Sequence, residues 1–277
     1  MFKKKIFILI LTLISITSIL VGCSSYDKLA IKLGMKNNNF EYIKQNKVDK
    51  IIIQSARDTG FRFIITEPNA INDMYKLLSD GKKVSEKSSM DPDYYFEICM
   101  GDEVKKYSYI VGADEREKGN FFSDEEYFSI SNRLDDIIIQ NLSFIRKPRN
   151  FQYVYYQTIL SVLEAEKSNI GNSNKVGIDI SGDIDCLKYI LSTDLQEFEK
   201  DITKIIPNAQ VIKNNSNEFD TIIKVKNRGY NSTIFKTMVT VDNKKNKVFN
   251  TYYILAEYNF RNWDIDMGEV NKVPNEW

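Results

Sequence analysis

Histidine is missing from all 277 residues. That single absence removes the Ser-His-Asp triad, the Cys-His pair, the H-E-x-x-H zinc site and the histidine pH switch. Chemistry on carboxylates, lysine, tyrosine, Ser-Lys pairs or an oxygen-ligated cation stays open. There is no G-x-x-x-x-G-K-[ST], G-x-G-x-x-G, C-x-x-C or G-x-S-x-G, so nucleotide, redox and α/β-hydrolase readings lack a motif, and no cofactor is expected. Excess charge of one sign is absent too, with 38 basic and 38 acidic side chains. Nucleic-acid binding, which runs on phosphate neutralisation, has no support. Proline is scarce at five, and cysteine numbers three. Cys99 in "FEICM" and Cys186 in "DIDCLKYIL" lie far apart and read as two buried free thiols acting as small hydrophobes.

The longest apolar run stands at the start of the chain. Lys3, Lys4 and Lys5 precede an almost unbroken stretch from Ile6 to Val21, which ends Leu20-Val21-Gly22-Cys23. A charged n-region, an apolar h-region and a small-residue boundary make an export signal. The run is short of the ~18 residues of a membrane-spanning helix, and no stop-transfer cluster follows. Leu20 to Cys23 resemble the lipobox of bacterial lipoproteins. The resemblance implies cleavage before Cys23, a diacylglyceryl group on its thiol, and residence on the outer face of the cytoplasmic membrane. Two acyl chains, each buried CH₂ contributing about 0.8 kcal/mol, suffice to hold a protein on a bilayer. Removing residues 1–22 takes away three lysines and no acid. Residues 23–46 then read as a lipidated tether.

From residue 47 the pattern turns to short β-branched and aromatic runs. "VDKIIIQS" and "FRFIITE" flank Asp58-Thr59-Gly60 and read as a hairpin. Pro68 opens a helix with Ile71, Met74, Leu77 and Leu78 on one face and Gly81 at its end. "YYFEICM" and "VKKYSYIVG" flank Gly101-Asp102 as a second hairpin, with Tyr107, Tyr109 and Val111 alternating. Ser131 reads as the N-cap of a helix carrying Leu134, Ile137 and Ile138. The order ββαβββα predicts an α+β unit over 47–146, closed by the charged "IRKPRN". This unit, with its helix "EPNAINDMYKLL" between strands, resembles the small lipoproteins of Gram-positive Firmicutes of the YhfM type. That likeness implies an envelope location and no particular activity.

A second α+β unit is predicted over 150–277. A helix from about Tyr153 to Lys167, with Tyr155, Ile159, Val162 and Leu163 inward, leads to the strand "KVGIDIS" and to helices over 185–205. Pro207-Asn208 breaks the chain, and the rest is an antiparallel meander. In it Phe235, Val239 and Val241 face Val248, Tyr252, Ile254 and Ala256. Helices followed by a long meander resemble the cystatin or nuclear-transport-factor-like cone-shaped folds. The resemblance implies a curved antiparallel sheet wrapped on helices.

Three stretches carry candidate chemistry. Asp179, Asp183 and Asp185 in "DISGDID" fail the EF-hand spacing, so a structural turn is expected, with Asp183 or Asp185 capping the following helix. "GADEREKGNFFSDEEYF", residues 112–128, reads as a charged loop. Its rings Phe121, Phe122, Tyr127 and Phe128 are the candidate partner contact. Trp263, with Tyr252, Tyr253 and Tyr258, reads as core packing or the wall of a ligand cleft. The expectation is a non-enzymatic, membrane-anchored protein that binds another protein or a cell-envelope component. Its alternatives are a carboxylate-dependent enzyme on glycan or peptide, and a sporulation or germination regulator that holds an enzyme.

Overall fold

The computed structural model describes residues 29–33, 35–45, 47–113, 117–143, 147–171, 174–213, 215–275 and 277. Cys23 and the stretch read as an export signal, residues 1–22, lie outside the described residues. Among the described residues no helix is long and apolar enough to cross a membrane. The fold is α+β, built on two main sheets and one small two-stranded ladder.

The expected first hairpin is present as β1 (Lys50–Ser55) and β2 (Arg62–Ile65). Ile51 and Ile53 point into the core while Ile52 and Gln54 point out, as a strand with one buried face requires. Helix α2 (Pro68–Ser79) begins at its proline, and the Glu67 carboxylate accepts the Ala70 N–H at 2.9 Å. It follows the short α1 (Glu41–Lys44) and buries Ile71, Met74, Tyr75 and Leu78. Asp80 is the C-cap of the helix, and residue 81 is glycine for a packing reason: a Cβ there would sit 2.1 Å from Ile130 Cδ1.

Strands β3 (Lys82–Val84) and β4 (Glu86–Lys87) lead to the second hairpin, β5 (Tyr94–Met100) and β6 (Glu103–Tyr109). Gly101 takes a positive φ in its two-residue turn. Residues 117–129 then depart from the predicted loop. They form β7 (Lys118–Gly119), β8 (Phe121–Phe122) and β9 (Tyr127–Ser129). The larger sheet runs β2-β1-β5-β6-β8-β9-β3, antiparallel throughout, and β4 pairs with β7 in a small parallel ladder.

The end of the expected tether is also built into this unit. Phe40 and Ile43 are fully buried, and Phe40 packs on Tyr107, Phe121 and Phe128. Asn37 donates through Nδ2 to the carbonyls of Leu78, Ser79 and Gly81, binding this segment to the end of α2.

Helix α3 (Arg133–Ser143) precedes the second half, where α4 (Phe151–Ile170) lies in a curled half-barrel sheet. Its strands are β10 (Val176–Asp179), β11 (Ala209–Val211), β12 (Thr221–Tyr230), β13 (Ile234–Asn243), β14 (Val248–Asn259) and β15 (Asn262–Met267). The order is β11-β10-β12-β13-β14-β15. The meander is antiparallel as predicted, but β10 runs parallel to both β11 and β12, so the sheet is mixed. The chain between β10 and β11 contains α5 (Ile184–Leu187) and α6 (Ser192–Ile205), and a helical crossover returns a strand in the parallel sense. Val248 is exposed rather than inward, because it opens β14 at the end of the turn opposite Asn243. One apolar core runs from Phe40 through both sheets to Trp263.

Candidate functional site

The rings expected at the surface of the 112–128 stretch are mostly inside. Phe121 and Phe128 are fully buried, and Phe121 stacks on Tyr107 with centroids 4.7 Å apart. Strand alternation turns Phe122 to the other face, where it meets Ile110 and Ala113 and is flanked by the half-buried Tyr127. Trp263 is buried and donates Nε1–H to the Arg149 carbonyl at 2.8 Å, which ties β15 to the segment before α4. Asp183 stands at the N-cap of α5 but does not cap it. Its Oδ1 accepts the Asn227 N–H at 2.8 Å across a bulge in β12. Asp179 accepts from Ser181 instead, so the "DISGDID" stretch is a turn. Cys99 and Cys186 are free and buried, and burial pushes the Cys186 thiol far up. Among the described residues, no group of three or more Cys, Asp or Glu is arranged to hold a metal ion.

The structure instead opens a groove of about 700 Å³ on the outer face of the larger sheet. Strand register builds it. Arg62 pairs with Gln54, Gln54 with Tyr95, Tyr95 with Ser108, and Ser108 with Phe122. These five side chains form one row across β2, β1, β5, β6 and β8. At ~4.8 Å per strand spacing the row is roughly 19 Å long. A parallel row holds Ile52, Glu97 and Lys106, the last two ion-paired at 3.0 Å. Tyr95 stands at the centre with 45% of its surface exposed. Lys87 Nζ lies 5.2 Å from the Phe122 ring centroid and forms the far wall with Asp124.

A second cavity, of about 670 Å³, lies between the two halves of the molecule. Pro92 and Tyr95 line both cavities, so the groove continues into this cleft. Met90, Leu187, Leu195 and Val211 give it an apolar wall, with Ser181 and Gln196 among its polar groups. The Asp91–Lys213 ion pair, at 2.7 Å, spans the two halves at its edge.

Beneath the cleft lies a buried lock. Asp93, whose side chain is 1% exposed, accepts from Arg57 Nη1 at 2.6 Å, from the Ser192 N–H at 2.8 Å and from the Val111 N–H at 2.9 Å. Arg57 Nη2 donates to Ser192 Oγ, which donates on to the Asp91 carbonyl. Ser192 begins α6, so the Asp93 carboxylate also sits at the positive end of a helix dipole. Burial holds the Asp93 carboxyl above the usual carboxylate range, and Arg57 with the two N–H donors offsets part of that rise. Asp194, in the first turn of the same helix, is raised to about 6 by burial and by the neighbouring Asp93 charge. Asp135 is held by the Tyr109 hydroxyl and the Gly112 N–H, again inside the protein. These acids serve packing and the junction between halves.

The groove was hidden in the sequence because "YYFEI" carries rings on both faces of β5. Only the pairing with β1 and β6 shows that Tyr95 lies between Gln54 and Ser108. Residues 44–148 match the model of the YhfM protein family. No curated protein and no solved structure matches the chain. The whole row from Arg62 to Phe122 falls inside the YhfM-matched stretch, whereas the far wall of the cleft, from Ile180 to Lys213, falls outside it.

Proposed function

We propose that this chain is an extracytoplasmic lipoprotein, held to the membrane through Cys23, which binds a cell-envelope component without catalysing a reaction on it. The observation that carries the binding part is the continuous groove centred on exposed Tyr95. Pockets at the junction of two units, with a few polar groups set in an apolar wall, are the usual places for ligands. The anchoring part is supported by Lys3 to Lys5, the apolar run and the Leu20 to Cys23 boundary. Tethering keeps the groove at high local concentration near the membrane surface.

The test is crosslinking in intact cells from a photoreactive residue at Ser108, on the groove, followed by affinity capture of the protein. Wild type is expected to partition into detergent and to yield a groove-dependent envelope adduct that is lost in Tyr95→Ala. Cys23→Ala is expected to leave the detergent phase. Firm membrane attachment of Cys23→Ala refutes the anchor, and adducts unchanged by Tyr95→Ala refute the groove.

A further inference from the structure

The ligand of the groove can be named by class from the chemistry of its floor. The row from Arg62 to Phe122 crosses the strands, and the central backbone groups of β1, β5 and β6 are spent on the sheet ladder. Strand addition is therefore closed to a ligand lying along this row, and recognition runs through side chains. The groove's charged side chains nearly cancel, with Arg62, Lys87 and Lys106 set against Glu97 and Asp124. A polyanion would meet two carboxylates and a polycation three cations.

The polar inventory is also mixed in hydrogen-bonding sense. Arg62 offers a fork of donors, and Ser108 both gives and accepts. Gln54 Nε2 is committed to the turn carbonyls of Thr59 and Phe61, at 3.1 and 3.0 Å, which leaves its Oε1 as an acceptor. Glu97 and Lys106 place an acceptor beside a donor. Donors and acceptors set together around one exposed ring match a ligand that is hydroxyl-rich at its edges and apolar on its faces. Tyr95 supplies the flat surface for such a face at small entropic cost. The row is roughly 19 Å long by strand spacing, and it runs on past Pro92 to Ser181 and Gln196. That is the footprint of a chain of sugar rings rather than of one.

Resting on the envelope-binding reading above, we infer that the groove binds an uncharged or charge-balanced glycan chain, with one sugar ring stacked on Tyr95. The test is calorimetric titration of the full-length protein in detergent with chitohexaose and with cellohexaose. Hyaluronate serves as a polyanionic probe and a proline-free polar hexapeptide as a peptide probe. The expected result is saturable binding of at least one neutral oligosaccharide, weakened roughly tenfold or more by Tyr95→Ala and little changed by Tyr95→Phe. Tyr95 is exposed, so unaltered circular dichroism is expected for both variants. Binding of hyaluronate or the peptide alone, no saturable binding of either neutral oligosaccharide, or binding indifferent to Tyr95→Ala overturns the inference. Retention on isolated cell envelopes, measured in parallel, separates the two levels. Tyr95-dependent retention without oligosaccharide binding sinks the glycan assignment and keeps the envelope reading. No retention of the wild type, with no oligosaccharide binding, sinks both.

Discussion

In a chain without histidine, titration near neutral pH falls to displaced carboxyls, and Asp194 is one. Its ordinary value is about 4, and in the fold it is pushed to about 6, first by burial and then by Asp93. The folded state therefore holds this proton more tightly than the unfolded chain does. The stability contribution is complete below pH about 4, declines as pH rises from about 4 to about 6, and is flat above. Asparagine carries no charge at any of these values. Asp194→Asn is thus expected to exceed wild-type stability by about 1 to 2 kcal/mol at pH 7.5 and to match it near pH 4. Urea midpoints at the two pH values check this, and parallel curves for the two proteins would place the pH dependence elsewhere.

At the level of elements, what could be read from the sequence depended on how many residues carried a period. The hairpin over Lys50–Ile65 and the helix at Pro68 are legible because six residues alternate in one and an apolar stripe recurs in the other. Strands of two or three residues, such as Phe121–Phe122, contain no alternation to detect, and their rings therefore read as an exposed loop. Burial of Phe40 and Ile43 was equally hidden, since Lys and Asn around them dominate the composition. The parallel placement of β10 is a matter of crossover, not of period, but it leaves a mark at Gly177. A Cβ there would meet Ile212 and Phe219 at 2.7 Å, because the returning chain passes close over the strand. Gly177→Ala is expected to cost about 1 to 3 kcal/mol by overpacking. A lowered urea midpoint with an unchanged slope is the signature to seek.

For the whole molecule, the decisive contact is the one across which the groove becomes a cleft. Asp93 belongs to the larger sheet's unit and Ser192 to the half-barrel's, and Arg57 binds both. The continuous core from Phe40 to Trp263 adds an apolar junction. The two halves should therefore unfold together. Both tryptophans, Trp263 and Trp277, lie in the second half, so their fluorescence reports that half while circular dichroism reports both. Coincident urea transitions by the two probes are expected for the wild type. Arg57→Met removes the cation and leaves a buried carboxylate, at a cost of about 3 to 5 kcal/mol. Since that cost falls on the junction, the variant is expected to split the two transitions as well as shift them. Adding Asp93→Asn neutralises the stranded charge, so the double variant should recover part of the loss. The cleft forms only when the halves are seated, which makes a further demand. Any ligand that touches both Tyr95 and Gln196 must pull the separated transitions of Arg57→Met back together, and one confined to the open sheet face must leave them apart.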